Sequence, residues 1–282
     1  MNIPWKFKSK VFRLLDKFPS GRLVFWFHKH LTKRAKKKVR AFSQSSAHPN
    51  WVFHAKNLEK YHCLSNIFEF GAGNHLAQNL YLSSLVEKQW LFDLNYMLDL
   101  DLVTTAIESL HSNKLLDKRL NIRSDKDLEK YGIYYRAPAD ARRTGLAQGS
   151  IDACISTNTL EHIPLEELEK IFLEVYRVLK IGGICSIKID YSDHYSHTDR
   201  SISELNFLRY SQTEWESFNH SNHYQNRLRH SDYLVLFRST NFEIIEESFV
   251  VCEDQILFEP DQSFLNSPNW NAISGKFILK KN

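Results

Sequence analysis

The sequence predicts an α/β protein, a seven-stranded and mostly parallel sheet with helices on both faces, preceded by basic helices and carrying an insertion after the fifth strand. Three observations predict it. Short apolar runs alternate with segments of helical periodicity from Asn66 onward. The first apolar run passes directly into an acid and two alternate glycines, Glu69-Phe70-Gly71-Ala72-Gly73. A second run, Gln89-Trp90-Leu91-Phe92, ends in Asp93, twenty residues past Gly73. Glycines at a strand-to-helix turn let the backbone bend sharply and approach a ligand. A carboxylate at the next strand end is where a ribose hydroxyl is bound in nucleotide-type cofactor sites.

Residues 5–18 place Phe7, Val11, Leu14, Leu15 and Phe18 at helical spacing, until Pro19-Ser20-Gly21 breaks the helix. A second helix is predicted with Leu23, Phe27, Leu31, Ala35, Val39 and Phe42 on one face and Lys33, Arg34, Lys36, Lys37, Lys38 and Arg40 around the rest. Residues 43–49 read as a linker, so residues 1–45 form a basic amphipathic unit and residues 46–282 the main domain. Two roles fit the pair: packing on the core with a solvated basic side, or contact with an anionic membrane surface.

In the main domain, strands are predicted at residues 66–70, 89–93, 131–137, 151–156, 184–189, 242–250 and 272–279. Helices are predicted near residues 76–85 and 100–110. Another is opened by Pro164, with Leu165, Leu168, Phe172, Val175 and Leu179 inward, and stopped by Gly182-Gly183; a last one falls near residues 226–240. Residues 191–225, rich in Ser, Asn, His, Tyr and Trp, show neither period and read as a lid or acceptor-binding insertion.

Charge is uneven along the 282 residues. The net is +4, yet residues 1–40 hold thirteen Lys and Arg against the single acid Asp16. A basic arm on an acidic body implies an anionic partner for the arm. Cys63, Cys154, Cys185 and Cys252 form no CxxC pair and read as small core residues in a reducing compartment. No apolar run is long enough for a signal peptide or a membrane span, so the cytoplasm is expected, with peripheral contact at the inner face of the membrane.

Taken together these residues resemble the class I S-adenosylmethionine-dependent methyltransferases, in particular their small-molecule branch. Glu69-Phe70-Gly71-Ala72-Gly73 resembles the first motif of that family, Asp93 its ribose acid, and Pro138-Ala139-Asp140-Ala141 the turn after strand three where an acid meets the adenine amino group. The stretch from Ser150 to Pro164, followed by Val178 to Gly183, is similar to the branch's fourth-strand and helix region. The resemblance runs over roughly residues 64–250. It implies a Rossmann-like fold, S-adenosylmethionine as cofactor, and Glu69, Gly71, Ala72, Gly73, Asp93, Leu94, Asp140, Ala141 and Thr157 as residues that bind it. One position departs from the pattern: His75 stands where the family has a third glycine, and either covers the methionine end of the cofactor or caps the helix. The segments around Asp190–Tyr195, Ser203–Tyr210 and His223–Arg229 resemble a bacterial subgroup of surface-polysaccharide biosynthesis, which implies a sugar hydroxyl as acceptor, free or lipid-linked.

Methyl transfer from a sulfonium needs mainly alignment and exclusion of water. A sugar hydroxyl is a poor nucleophile, and a base within hydrogen-bond reach helps by about 10² to 10⁴-fold. His194 with Asp193, after strand five, and His162, after strand four, are the candidates. Tyr195, Arg209, Tyr224, Arg227 and Arg229 are the candidate acceptor-binding residues, the arginines offering forked hydrogen bonds to a phosphate or carboxylate. His194, His197, Asp193 and Asp199 have metal-type side chains, but their spacing matches no compact zinc motif and no metal is expected. Strand four ends in Ser156-Thr157-Asn158-Thr159, without a base-gripping proline turn, and nucleic acid is not expected as acceptor. The other readings are a different small-molecule acceptor, a nicotinamide-dependent dehydrogenase, which the absent three-glycine spacing disfavours, and a methyltransferase-like scaffold without activity.

Overall fold

The computed structural model describes residues 3–16, 48–253 and 255–282, so the expected second basic helix lies outside the described residues. The strands are β1 (Asn66–Phe70), β2 (Lys88–Phe92), β3 (Ile133–Arg136), β4 (Ile151–Thr157), β5 (Leu179–Asp190), β6 (Glu243–Val251) and β7 (Ala272–Lys280). They form one sheet in the order β3-β2-β1-β4-β5-β7-β6, in which only β7 runs antiparallel to its neighbours. The expected Rossmann-like, seven-stranded, mostly parallel sheet is the one that forms. After β1 the chain builds outward through β2 to β3, then returns to place β4 on the other side of β1. Ligands of such sheets bind where the order reverses, at the carboxyl ends of the strands.

Both sheet faces are covered, which is why the central strands read as nearly continuous apolar runs. Along β1, Ile67 faces the layer made by α2 (Pro49–Lys60) and α3 (Ala77–Leu82), where it meets Ala55, Leu58 and Leu82. Phe68 and Phe70 face the opposite layer of α5 (Leu165–Val178) and α7 (His230–Ser239), with Phe172, Val175, Tyr233 and Phe237. α4 (Leu100–Ser112) covers β2 through Val103, Ala106, Ile107 and Leu110. All four cysteines are free and buried. Among the described residues no helix is long and apolar enough to cross a membrane.

The structure departs from the sequence reading in several places. α2 was not expected: Pro49 sits in its first turn and Trp51, His54, Ala55 and Leu58 are buried along one side, but the polar His54 and Asn57 interrupt the apolar stripe. α5 ends at Val178 rather than at the glycines. Leu179 has already turned extended and pairs with Ile151, and Gly182-Gly183 lies inside β5 near a register shift. α7 begins at His230, because Asn226 instead donates its side-chain amide to the carbonyls of Leu160 and Ile163, each at 2.8 Å.

The largest difference concerns α1 (Trp5–Asp16). Phe7, Val11 and Leu14, read as its apolar stripe, are exposed, and the buried face carries Trp5 and Ser9. The helix does not lie on the sheet. Trp5 enters a separate aromatic cluster with Tyr195, Tyr210 and Phe218, at ring separations of 5.5, 5.8 and 4.9 Å. Leu205, Phe207, Leu208 and Trp215, on both sides of the start of α6 (Gln212–Glu216), complete this cluster. The Trp5 backbone amide also donates to Asp199 at 2.8 Å, and Asp16 accepts from Ser221. The insertion at residues 191–225 therefore has a small core of its own, with α1 built into it.

Candidate functional site

β1 turns into α3 through Gly71 and Gly73, both at φ +79°, a left-handed conformation that favours glycine. A Cβ on Gly71 would lie 2.3 Å from the Thr159 side chain, whereas one on Gly73 would meet nothing within 4 Å. Gly71 is thus glycine because β4's end crowds it. Gly73 lines open space. Its amide donates to the Asp93 carboxylate at 3.2 Å, and Tyr135 donates its hydroxyl to the same carboxylate at 2.9 Å. Burial raises the Asp93 carboxyl, while these donors oppose the rise. An acid at the end of β2, an open glycine turn and the reversal point of the sheet fit the ribose and methionine ends of a nucleoside cofactor.

The other expected cofactor residues are placed as follows. Ala72 follows Gly71 in the turn, and Leu94, just past β2, is 68% exposed. Asp140 is held by Arg142, which keeps its carboxyl below the usual range and also pairs with Glu167; Ala141 packs on the edge of the main core. His75 accepts the Ala77 amide at 3.0 Å on Nδ1, one residue before the N-cap Leu76, which makes no side-chain cap bond of its own.

Glu69 and Thr157 belong to a buried chain of hydrogen bonds beneath this turn. Gln78 and Asn79 donate to the two oxygens of Glu69, at 3.0 and 2.5 Å. Thr157 donates to Gln78 at 3.0 Å, so it accepts from Nε2 of His54 at 2.8 Å. Nδ1 of His54 must then accept from Ser186 at 2.8 Å. Burial pushes Glu69 up to about 8 and His54 down to about 3. Glu69 therefore supports the cofactor turn from inside, and His54, which sequence reasoning missed along with α2, locks β4 to β5.

The second half of the site lies at the carboxyl ends of β4 and β5. Leu160–His162 form a short 3-10 turn directly after Thr159, and Asp190 ends β5. Two overlapping groups of side chains converge here, Glu161 with His162 and His194, and Asp190 with His194 and His197; within each group the ligand-type atoms all lie within 4.8 Å of one another. His162 donates from Nδ1 to the Tyr224 carbonyl at 2.9 Å. Nε2 of His194 stands 3.6 Å from Asp190, too far for a good hydrogen bond, and has no hydrogen-bond partner. Burial disfavours ionised Asp190, but His194 and the hydroxyl and amide of Ser192 hold its carboxyl down at about 2. Burial lowers His162 and His197, which disfavours their charged forms. It raises Glu161 well above the usual range.

Of the expected catalytic residues, His162 and His194 come together, at 4.8 Å between rings. Asp193 does not join them. It is fully buried, accepts from the Tyr195 amide at 2.8 Å and from Asn206 at 3.1 Å, and is pushed up to about 6 by burial. Asp199 caps α1 rather than facing the histidines. The acids that do face them are Asp190 and Glu161, each close in sequence to one histidine, but the two groups meet only because β4 pairs with β5.

The expected acceptor-binding residues divide in the same way. Tyr224 touches the cluster through its carbonyl, and Arg209 is exposed beside Tyr210 and Phe258. Tyr195 is buried against Trp5 and donates to the Phe218 carbonyl at 2.8 Å. Arg227 and Arg229 do not fit the expected role. Arg227 donates to the carbonyls of Phe207 and Tyr210 and to Gln212; Arg229, 1% exposed, donates to the carbonyls of Tyr191 and Ala272. Burial lowers both to about 10. They hold loop backbone that would otherwise leave unpaired carbonyls inside the protein.

Residues 99–187 match the family described as a methyltransferase domain, a stretch that runs from the start of α4 into β5 and begins after the glycine turn and Asp93. That match, together with the sheet order and the strand-end site, supports an S-adenosylmethionine-dependent methyltransferase of class I. S-adenosylmethionine is the cofactor it implies. No curated protein matches the chain. Among solved structures, a methyltransferase of Methanosarcina mazei is similar over 77% of this chain and 92% of its own, at 16% identity and a TM-score of 0.48. The YcgJ protein of Bacillus subtilis is similar over 83% and 98%, at 16% identity and a TM-score of 0.47. Likeness at this level adds nothing to what the sheet order already establishes.

Proposed function

We propose that the chain O-methylates a sugar hydroxyl in the biosynthesis of a bacterial surface glycan. The observation that carries this reading is the imidazole and carboxylate cluster of His162, His194, His197, Asp190 and Glu161 beside the cofactor turn. A hydroxyl acceptor needs a proton acceptor at the strand ends, and amines or thiolates need it less. Asp93, Gly73 and Leu94 would hold the cofactor, which supplies an activated methyl group when bound. Among this chain's residues, the cluster would take the proton of the acceptor hydroxyl as its oxygen is methylated. A panel of free, nucleotide-linked and lipid-linked sugars offered with a labelled methyl donor tests the reading. His194→Ala should lower turnover by about 10² to 10⁴-fold with cofactor affinity retained; an undiminished rate would remove the cluster from the chemistry. Transfer to a different small molecule, or no transfer despite cofactor binding, would favour the alternative acceptor or the scaffold.

Peripheral attachment to the inner face of the membrane belongs to the same proposal. Phe7 and Leu14, 62% and 59% exposed, share the outer side of α1 with Val11, and Lys6, Lys10 and Arg13 flank them. Apolar side chains rimmed by cations suit an anionic bilayer. Phe7→Ser with Leu14→Ser should weaken co-sedimentation with phosphatidylglycerol vesicles, and equal binding by the variant would sink this part.

A further inference from the structure

We infer that the five-residue cluster is a binding site for one divalent transition-metal cation, with zinc the reference ion. The inference deepens the proposed function and rests on it only for what the ion would serve: with the imidazole lone pairs on the cation, the cluster would act on the acceptor hydroxyl by lowering its pKa, the proton leaving to solvent, instead of taking that proton directly.

Glu161 is the first reason. Its side chain is 2% exposed and neither carboxylate oxygen has a well-formed hydrogen bond, the amides of Glu161 and Asp190 being the only donors that act on it. A buried carboxylate left without strong donors is costly unless a cation or a proton accompanies it. Among the described residues no arginine or lysine donates to it. Instead, the ligand-type atoms of two histidines, His162 and His194, lie with its own within 4.8 Å of one another.

The histidines are the second reason. The Tyr224 carbonyl can only accept, so His162 carries its proton on Nδ1 and presents a bare lone pair on Nε2. That is the arrangement by which proteins fix the tautomer of a metal-binding imidazole. Nε2 of His194 is likewise buried without a partner.

Spacing is the third. Nε2 of His194 and Nε2 of His197 stand 3.6 and 3.9 Å from the same oxygen of Asp190. Two ligands about 2.1 Å from a tetrahedral ion lie about 3.4 Å apart, so small movements would close the set. The other Asp190 oxygen accepts from the Ser192 amide at 2.9 Å and hydroxyl at 2.6 Å, which leaves the first turned to the histidines; Nε2 of His197 donates to that hydroxyl at 3.3 Å, a long bond the ion would displace. Mixed imidazole and carboxylate donors favour zinc, iron(II) or manganese over magnesium or calcium, which prefer all-oxygen shells. Asp190, His194 and His197 sit at i, i+4 and i+7 in one turn of chain, and Glu161 and His162 come from the neighbouring strand end.

The test is calorimetric titration of zinc chloride into full-length, chelator-treated protein carrying no histidine tag, with manganese and magnesium in parallel. One site per chain is expected for zinc, with magnesium at least tenfold weaker. His194→Ala, and separately His197→Ala at the solvent side, should weaken zinc binding by about tenfold or more, and Glu161→Gln should do the same. S-adenosylhomocysteine binding by each variant reports that the fold is intact and is independent of the metal. No zinc binding by wild-type protein, or equal binding by His194→Ala and His197→Ala, would overturn the inference. Zinc binding in a protein that binds no S-adenosylhomocysteine would overturn the methyltransferase reading and leave the cation site standing.

Discussion

The two halves of the site are built in opposite ways. On the cofactor side, Gly71, Gly73, His75 and Asp93 follow one another within two strand-turn units and are fixed by local geometry, two positive φ values and a strand end. On the acceptor side, Asp190, His194 and Glu161 are gathered from two strands and an insertion. α1, almost two hundred residues away in sequence, buttresses that insertion through the bond from Trp5 to Asp199. A site made from neighbours tolerates loss of distant contacts. One gathered from afar does not, and perturbations should separate the two.

The largest effect is expected for Arg229→Ala, which leaves the Tyr191 and Ala272 carbonyls unpaired inside the protein and opens a cavity. A loss of about 3–5 kcal/mol in denaturant unfolding is expected. An equally stable variant would mean that water replaces the guanidinium. Trp5→Ala removes the aromatic anchor of the insertion, a change that costs about 3–5 kcal/mol where the packing is complete. Hydrogen exchange at residues 195–218 should rise while S-adenosylhomocysteine binding persists; faster exchange around residues 66–93 instead would erase the distinction between the halves. Asp93→Ala is the converse. Calorimetry should show S-adenosylhomocysteine affinity down by about 10 to 100-fold, the worth of a charged hydrogen bond of about 1.5–3 kcal/mol, with the insertion undisturbed.

A pH dependence is expected beneath the cofactor turn. The folded value of Glu69, about 8, lies above its ordinary 4.5, so folded protein holds the extra proton and stability from this group falls as pH rises through that interval. His54 acts in the opposite sense. Its folded value of about 3 lies below the ordinary 6.5, and stability is lost as pH falls from about 6.5 toward 3. Glu69→Gln should flatten the melting profile between about pH 6.5 and 8 and leave the His54 rise between about pH 4.5 and 6.5 unopposed. An unaltered alkaline side would show that Glu69 ionises without penalty.

The same division explains what the sequence could say. The sheet, the glycine turn and Asp93 were legible because each depends on periodicity or on spacing within one strand-turn-helix unit. His162 beside Glu161 and His194 four residues past Asp190 were legible as two local pairs but not as one cluster, since their meeting depends on the pairing of β4 with β5. Arg227 and Arg229 misled for a related reason: a run of basic residues in a polar segment gives no sign that carbonyls will surround it. α1 misled because two faces of one helix carry aromatic residues, and only the partners of Trp5 decide which is buried.

That docking also orders events during synthesis. Trp5 leaves the ribosome long before Tyr195, Tyr210 and Phe218 exist, so α1 must wait, its aromatic face uncovered, while β1 to β5 are translated and can begin to pair. A nascent chain arrested before residue 195 would carry the cofactor turn and an undocked helix, a natural client for a chaperone that recognises aromatic segments beside lysines.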